Sequence, residues 1–304
     1  MRVRTRKLAL TEGITAGVLF GTAAIFIRFL QNLDVFCIAF WRLVIACLTL
    51  AIVLFVLRKS FNLNLVRKNL KELFILSVFL ALHFILFISA VKDTTILNAT
   101  VLVNTTPIFS MFVSSFLFNV KPSRLAIVGL TISFMGVCVI ACAETIIVDA
   151  SAHPAGVHPN LKGDLEAVLA ALVEAFYLNY GRKIRSQMNV LSTMFPMYVL
   201  TAIIVGVLGV SATDKILTLP TEAEFVLPMI GLGVLPTAAA HTLYFSSLSN
   251  LKSFETATMA LLEPIGATVL GIILFQETPT PLFVFGAATI LLGIFFIVRE
   301  KTSK

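Results

Sequence analysis

Charge is scarce in this 304-residue chain. Asp, Glu, Lys and Arg together supply 13% of it, about half the share of an ordinary soluble domain. A globule of this length without more polar surface cannot face water, so a soluble fold is excluded. Cysteine is equally sparse: Cys37, Cys47, Cys138 and Cys142 all fall inside apolar segments, which excludes a disulfide scaffold and reads as small packing residues. With only 16 Gly and 11 Pro, collagen-like and low-complexity readings fail too. The chain has no P-loop, and no HExxH, no GxS serine motif and no acidic pair suited to a prenyl diphosphate falls within its apolar spans. ATP-driven transport within this chain and an intramembrane enzyme therefore have no sequence support. His153 and His158 fit no zinc spacing, so no metal and no cofactor is expected.

Apolar residues are what the chain has, at 58% with a mean hydropathy of +0.99. That is too much burial potential for disorder. A helix crosses the hydrocarbon core with about 20 mostly apolar residues. The apolar runs predict ten such spans, at 12–30, 34–57, 72–91, 95–119, 124–143, 163–181, 189–210, 224–248, 254–276 and 280–298. The sixth is the most polar, with Glu166, Glu174 and Asn179. The basic opening MRVRTRKLAL resembles the start of a signal peptide, but no small-residue cleavage site follows a short apolar core. It reads as the flank of a retained first span. The expected class is an all-α integral membrane protein.

The net charge of +7 is arranged by side rather than in a stripe. With the N-terminus inside, 18 of the 23 Lys and Arg lie in inside segments, and only Lys92, Lys162 and Lys215 lie outside. Arg28 and Arg42 fall within spans. This asymmetry places both termini in the cytoplasm. A nucleic-acid footprint would need a contiguous basic patch, and no nucleic-acid partner is expected.

The chain also repeats itself. The stretch from Pro107 (PIFSMFVSSFLFNVKPSRLAIVGLTISFMGVCVI) aligns without gaps on the stretch from Pro264 (PIGATVLGIILFQETPTPLFVFGAATILLGIFFI). At this offset of 157 residues Pro107 meets Pro264, Phe118 meets Phe275, Pro122 meets Pro279, Gly129 meets Gly286 and Gly136 meets Gly293. Five spans separate the copies, an odd number, so the halves must be inverted. The loop NVKPSR carries two basic residues where QETPTP has Glu277 and none. The expected organisation is a first five-helix repeat at 1–147, an outside connection at 148–162 and a second, inverted repeat at 163–304. Such a plan is that of a transporter.

These residues resemble the EamA-type transporters of the drug/metabolite transporter superfamily. The second repeat carries the resemblance best, with Glu263-Pro264, Glu277, Gly286 and Gly293. The first keeps Pro107, Pro122, Gly129 and Gly136 but has Val120 where the family usually has an acid. Phe40–Arg42 (FWR) is similar to the second helix of that family, and Phe20-Gly21 to its first. The resemblance covers nearly the whole chain. It implies ten helices with inside termini, and amino acids or related metabolites as the substrate class.

Single positions carry the remaining expectations. Pro107 and Pro264 interrupt spans 4 and 9, either as hinges beside a central cavity or as static kinks. Gly13, Gly17 and Gly21, and the pairs Gly129/Gly136 and Gly286/Gly293, present smooth faces for close helix approach. An ionisable group in a span costs about 2.5–3.5 kcal/mol, which singles out Glu174, Glu263 and Arg42. Glu174 and Glu263 are candidates for a coupling acid, or for a buried ion pair and backbone satisfaction beside Pro264, respectively. Arg42 is placed to hold a substrate carboxylate or to pair with an acid, while Arg28 reaches the outer surface. His83 and His241 line the cavity or pack as neutral rings. Asn98, Asn104, Thr105 and Thr106 in span 4, Tyr177 and Asn179 in span 6 and Tyr244 in span 8 are the polar groups suited to line a cavity or to bond between helices.

The expected function is a secondary-active transporter of the cell membrane that moves a small organic solute by alternating access. Export of amino acids or related metabolites is the specific expectation. A lipid-carrier flippase or scramblase on a similar fold is the alternative, with Arg42 meeting a phosphate. The expected partners are the small-molecule solute and the lipid bilayer.

Overall fold

The computed structural model describes residues 5–58, 63–147, 160–214, 216, 222–275 and 281–299. His153, His158 and Glu277, with most of the connection at 148–162, lie outside the described residues. All regular structure among the described residues is helical.

Helix starts are set by side-chain caps. Thr5 opens α1 (Arg6–Phe20), Asp34 opens α3 (Val35–Val56), Thr95 opens α6 (Ile96–Val103), Asn160 opens α9 (Leu161–Arg185) and Asn189 opens α10 (Val190–Ala212). Each accepts from a free amide of the first turn. The other elements are α2 (Ala23–Phe29), α4 (Leu63–Lys68), α5 (Leu70–Asp93), α7 (Thr106–Leu117), α8 (Arg124–Ile147), α11 (Ala223–Leu232), α12 (Thr242–Ser247), α13 (Ser253–Met259), α14 (Glu263–Phe275) and α15 (Pro281–Val298).

Seven helical stretches among the described residues are long and apolar enough to cross a membrane. Their outward faces are apolar: Phe55, Phe116 and Leu227 are each at least 74% exposed. Water would not tolerate such a surface, and a bilayer would. The chain is a multi-pass membrane protein.

Four apolar runs that read as continuous are broken. The first divides into α1 and α2 at Gly21-Thr22. The fourth breaks at Asn104-Thr105 between α6 and α7. The eighth passes through a π-helical segment, Gly233–His241, between α11 and α12. The ninth breaks at a 3-10 turn, Ala260–Leu262, between α13 and α14. Pro107 and Pro264 therefore do not kink the middle of a helix. Each sits in the first turn of a new one, where its missing N–H costs nothing. The breaks at Asn104 and Ala260–Leu262 fall at the 157-residue offset of the sequence repeat.

Two apolar clusters hold the molecule. The larger joins α1, α2, α3, α5, α6, α9, α10, the π segment and α12. The second joins α8 and α15 with the turn Met259–Leu262. In it α8 and α15 run antiparallel with their backbones in contact. A Cβ added at Gly136 would stand 2.7 Å from the Gly286 carbonyl oxygen, and one at Gly129 2.6 Å from that of Gly293. Midway between them Ser133 Oγ donates to the Ile290 carbonyl at 3.2 Å. The α1 face behaves alike: a Cβ at Gly17 would overlap the Met259 carbonyl.

Candidate functional site

The helix breaks converge on a central cavity of about 40 Å³, room for about three waters. Arg42 enters from α3, His83, Phe84 and Phe87 from α5, Asn104 from the α6–α7 break and Glu174 from α9. Pro236 and His241 come from the π segment, Ala260 from the 3-10 turn and Glu263 from the start of α14. Phe20 and Ala23 complete the wall. Arg42, His83, Asn104, Glu174, His241 and Glu263, scattered over more than 200 residues, thus share one small space and are all buried.

Arg42 Nε donates to Thr237 Oγ1 at 3.0 Å, and its guanidinium lies 4.0 Å from the centre of the Phe84 ring, a cation–π contact. Nη1 is buried without a partner, and no carboxylate stands within ion-pair distance among the described residues. The acid partner entertained for Arg42 is therefore not found among the described residues.

The carboxyl groups lie near the α6–α7 break. Glu174 Oε2 accepts from Thr106 Oγ1 at 3.0 Å and stands 4.0 Å from His83 Nδ1. That nitrogen is 3.1 Å from the Ala170 carbonyl, a pure acceptor, which assigns its proton to Nδ1. Glu263 Oε2 accepts from Asn104 Nδ2 at 3.2 Å. Glu263 also faces a second, apolar cavity of about 70 Å³ bounded by α2, α6, α8 and α14. His241 fits between aromatic rings, its centre 4.8 Å from Phe20, 5.0 Å from Phe84 and 6.0 Å from His83.

The other expected residues sit differently. Tyr244 packs edge-on against Phe20 at 5.1 Å, just behind the wall, and its hydroxyl is buried without a partner. Tyr177 turns its hydroxyl to the Met194 sulfur at 3.9 Å. Thr105 bonds back to the Leu102 carbonyl at 2.6 Å. Asn179 ties α9 to Ser110 of α7, and Asn98 reaches Asp164.

Polar ties also bind helix ends on both sides of the cavity. At one end Arg6 forks onto Glu255 at 2.7 and 3.2 Å and reaches the Ile297 carbonyl at 3.3 Å. Glu255 in turn accepts from the Lys252 amide at 2.6 Å. At the other end Asp164 accepts from Thr94 at 2.9 Å and Asn98 at 3.1 Å. There Arg28 donates to the Thr94 carbonyl, Lys92 to the carbonyls of Gln31 and Leu33, and Lys162 pairs with Asp93 at 2.6 Å. The hydrogen bond and charge of Asp93 raise the Lys162 ammonium above its ordinary range. No group of His, Cys, Asp and Glu among the described residues could hold a metal ion.

Sequence reasoning missed Thr237 and Tyr198, which govern the setting of Arg42, and did not single out Phe84 and Phe87. A Thr directly after Pro236 was the available signal for the first. Nothing local marks Tyr198.

The sequence profile of the EamA-like transporter family matches residues 8–142 and 161–299, two successive segments that cover most of the chain. A protein of Archaeoglobus fulgidus described as an uncharacterized transporter is 25% identical over 203 residues, 67% of this chain and 68% of that one. Another from the same organism, under the same description, is 38% identical over 71 residues, 23% of this chain and 26% of its own. A solved crystal structure superposes with a TM-score of 0.78 at 17% identity, over 96% of this chain and 98% of its own, a likeness of fold.

Proposed function

We propose that this chain, which belongs to the EamA-like transporter family and is a membrane transporter, is a secondary-active carrier that exports a small organic solute by alternating access. Amino acids or related metabolites are the substrate class. The observation that carries this reading is the buried cavity in which Arg42, His83, Asn104, Glu174, His241 and Glu263 meet beside four helix breaks. Irregular backbone at membrane depth is tolerated where it lines such a space, and broken helices around a central site are the usual ground plan of secondary carriers.

In this reading the chain has ten spans in two inverted halves, 1–147 and 163–304, in the cell membrane with both termini cytoplasmic. Two matches of one family profile at nearly the repeat offset support the duplication, as do the paired breaks and the antiparallel Gly129–Gly293 and Gly136–Gly286 contacts. The Arg6–Glu255 tie then closes the cytoplasmic end and the Asp164 cluster the outer end. Closed at both, the cavity is in an occluded state and enlarges only when one set of ties opens. Glu174 is the coupling acid, with Pro107 and Pro264 flanking the moving joints.

The test is counterflow in sealed proteoliposomes against labelled amino acids, with and without a pH gradient. Saturable exchange of one class supports the carrier and identifies its chemistry. Silence toward free solutes with movement of lipid-linked sugars would replace it by a flippase on the same fold.

A further inference from the structure

Helix α3, the π segment and α10 each give one member to a buried chain of three residues, Arg42, Thr237 and Tyr198. Pro236 has no N–H to offer the Leu232 carbonyl four residues back. Thr237 Oγ1 donates to that carbonyl instead, at 2.5 Å. Its proton is thereby committed, so the same oxygen can only accept from Arg42 Nε, which it does at 3.0 Å. The Thr237 carbonyl is itself held by the Tyr198 hydroxyl at 2.7 Å. All three side chains are buried to within 1% of complete.

The consequence for Arg42 is geometric. A guanidinium has five N–H donors in a rigid fork. With Nε fixed on Thr237 and one face on Phe84, the plane of the fork is determined. Its Nη1 is left in the cavity wall without a partner. A buried cation unpaired by any described carboxylate is costly unless something neutralises it, and the space in front of it is where the solute goes.

We infer that Tyr198 and Thr237 are positioning residues that aim Arg42 at the anionic group of the solute, so that the carrier selects a carboxylate over its uncharged amide. This rests on the cavity being the solute site. Hydroxyl and carbonyl of one threonine act together: the hydroxyl fixes the fork and the carbonyl, through Tyr198, fixes the turn that carries the hydroxyl.

The test measures binding separately from transport, by thermal stabilisation of the purified full chain. The ligands are matched pairs, each a small amino or hydroxy acid and its primary amide. In the wild type the carboxylate member of at least one pair should stabilise at a concentration tenfold or more below its amide, as expected for a charge-assisted contact of this kind. Tyr198→Phe removes one hydroxyl and Thr237→Val removes the proton and lone pairs at nearly constant volume. Both should reduce that ratio about tenfold while the amide's own half-point holds, and Thr237→Ser should restore the wild-type ratio. Stabilisation by both members alike in the wild type, stabilisation by neither in every pair, or equal weakening of both by Tyr198→Phe would overturn the inference. Carboxylate-selective binding with no counterflow of the same compound would leave this aim intact and remove the carrier reading.

Discussion

Thr106 of α7 and Glu174 of α9 meet at 3.0 Å beside the cavity, while Asn104, two residues before Thr106, holds Glu263 at 3.2 Å. One break in one helix thus supplies the hydrogen-bond donors for two carboxyl groups on α9 and α14. Neither acid has a Lys or Arg within ion-pair distance among the described residues. Movement of this short stretch changes the surroundings of both acids together.

Glu174 is the residue expected to link transport to a proton. Glu174→Gln keeps the Thr106 contact and removes the titratable group, so export should lose its dependence on the pH gradient while gradient-free exchange persists. Transport assayed at several imposed gradients reads this out. Unchanged dependence on the gradient would transfer the role to Glu263 or away from both acids.

Arg42→Ala removes the one Lys or Arg among the described residues that faces the cavity, which has no counterion there. Apparent affinity for carboxylate solutes should fall about 10- to 100-fold, the range for a hydrogen bond to a charged group of roughly 1.5–3 kcal/mol. Uncharged analogues should lose much less. Competition against labelled solute measures both, and an equal loss would make Arg42 a packing residue.

Arg6 and Glu255 are expected to hold one end of the cavity shut. Glu255→Gln should raise the reactivity of a cysteine introduced at Ala260 toward a water-soluble maleimide. The exchange Arg6→Glu with Glu255→Arg should return it toward the wild type. A double-mutant cycle on stability should give a coupling of roughly 0.5–3 kcal/mol. No coupling in either measurement would leave the pair without a part in closing that end.

Gly17→Leu should abolish the folded, monodisperse protein. A side chain there meets the Met259 carbonyl and Leu262 before it meets any flexible group. Overpacking of this kind costs about 1–3 kcal/mol when neighbours can yield, and backbone yields least. Size-exclusion profiles and melting temperature in detergent check it; a normal profile would mean that α1 stands farther from the 3-10 turn than described.

Much of this was legible in the sequence because hydrophobic runs, charge bias and proline spacing are local. The runs marked the long helices, and the 157-residue offset paired Pro107 with Pro264, each of which stands just past one of the breaks. Six cavity residues came from asking which polar groups lie deep in apolar runs. The misplacements have the opposite cause. Pro107 and Pro264 look like interruptions because sequence does not show that the helix has already ended two or three residues earlier. Asn98 and Asn179 look like cavity groups because depth along a helix says nothing of which neighbour each face meets. Thr237 and Tyr198 stand 39 residues apart in sequence and are joined through a π-helical turn, whose extra residue per cycle leaves no periodic trace short enough to read.

The contact of α8 with α15 has a mechanical meaning. Between most helices lies a layer of side chains that can change rotamer and let one helix shift by an ångström or two. At Gly129, Gly136, Gly286 and Gly293 that layer is missing, and main chain bears directly on main chain. With no cushion to deform, the pair acts as a single stiff beam. A shape change in the molecule would then be taken up by the broken helices, and the stretch of bilayer beside this beam would meet an unchanged hydrophobic outline.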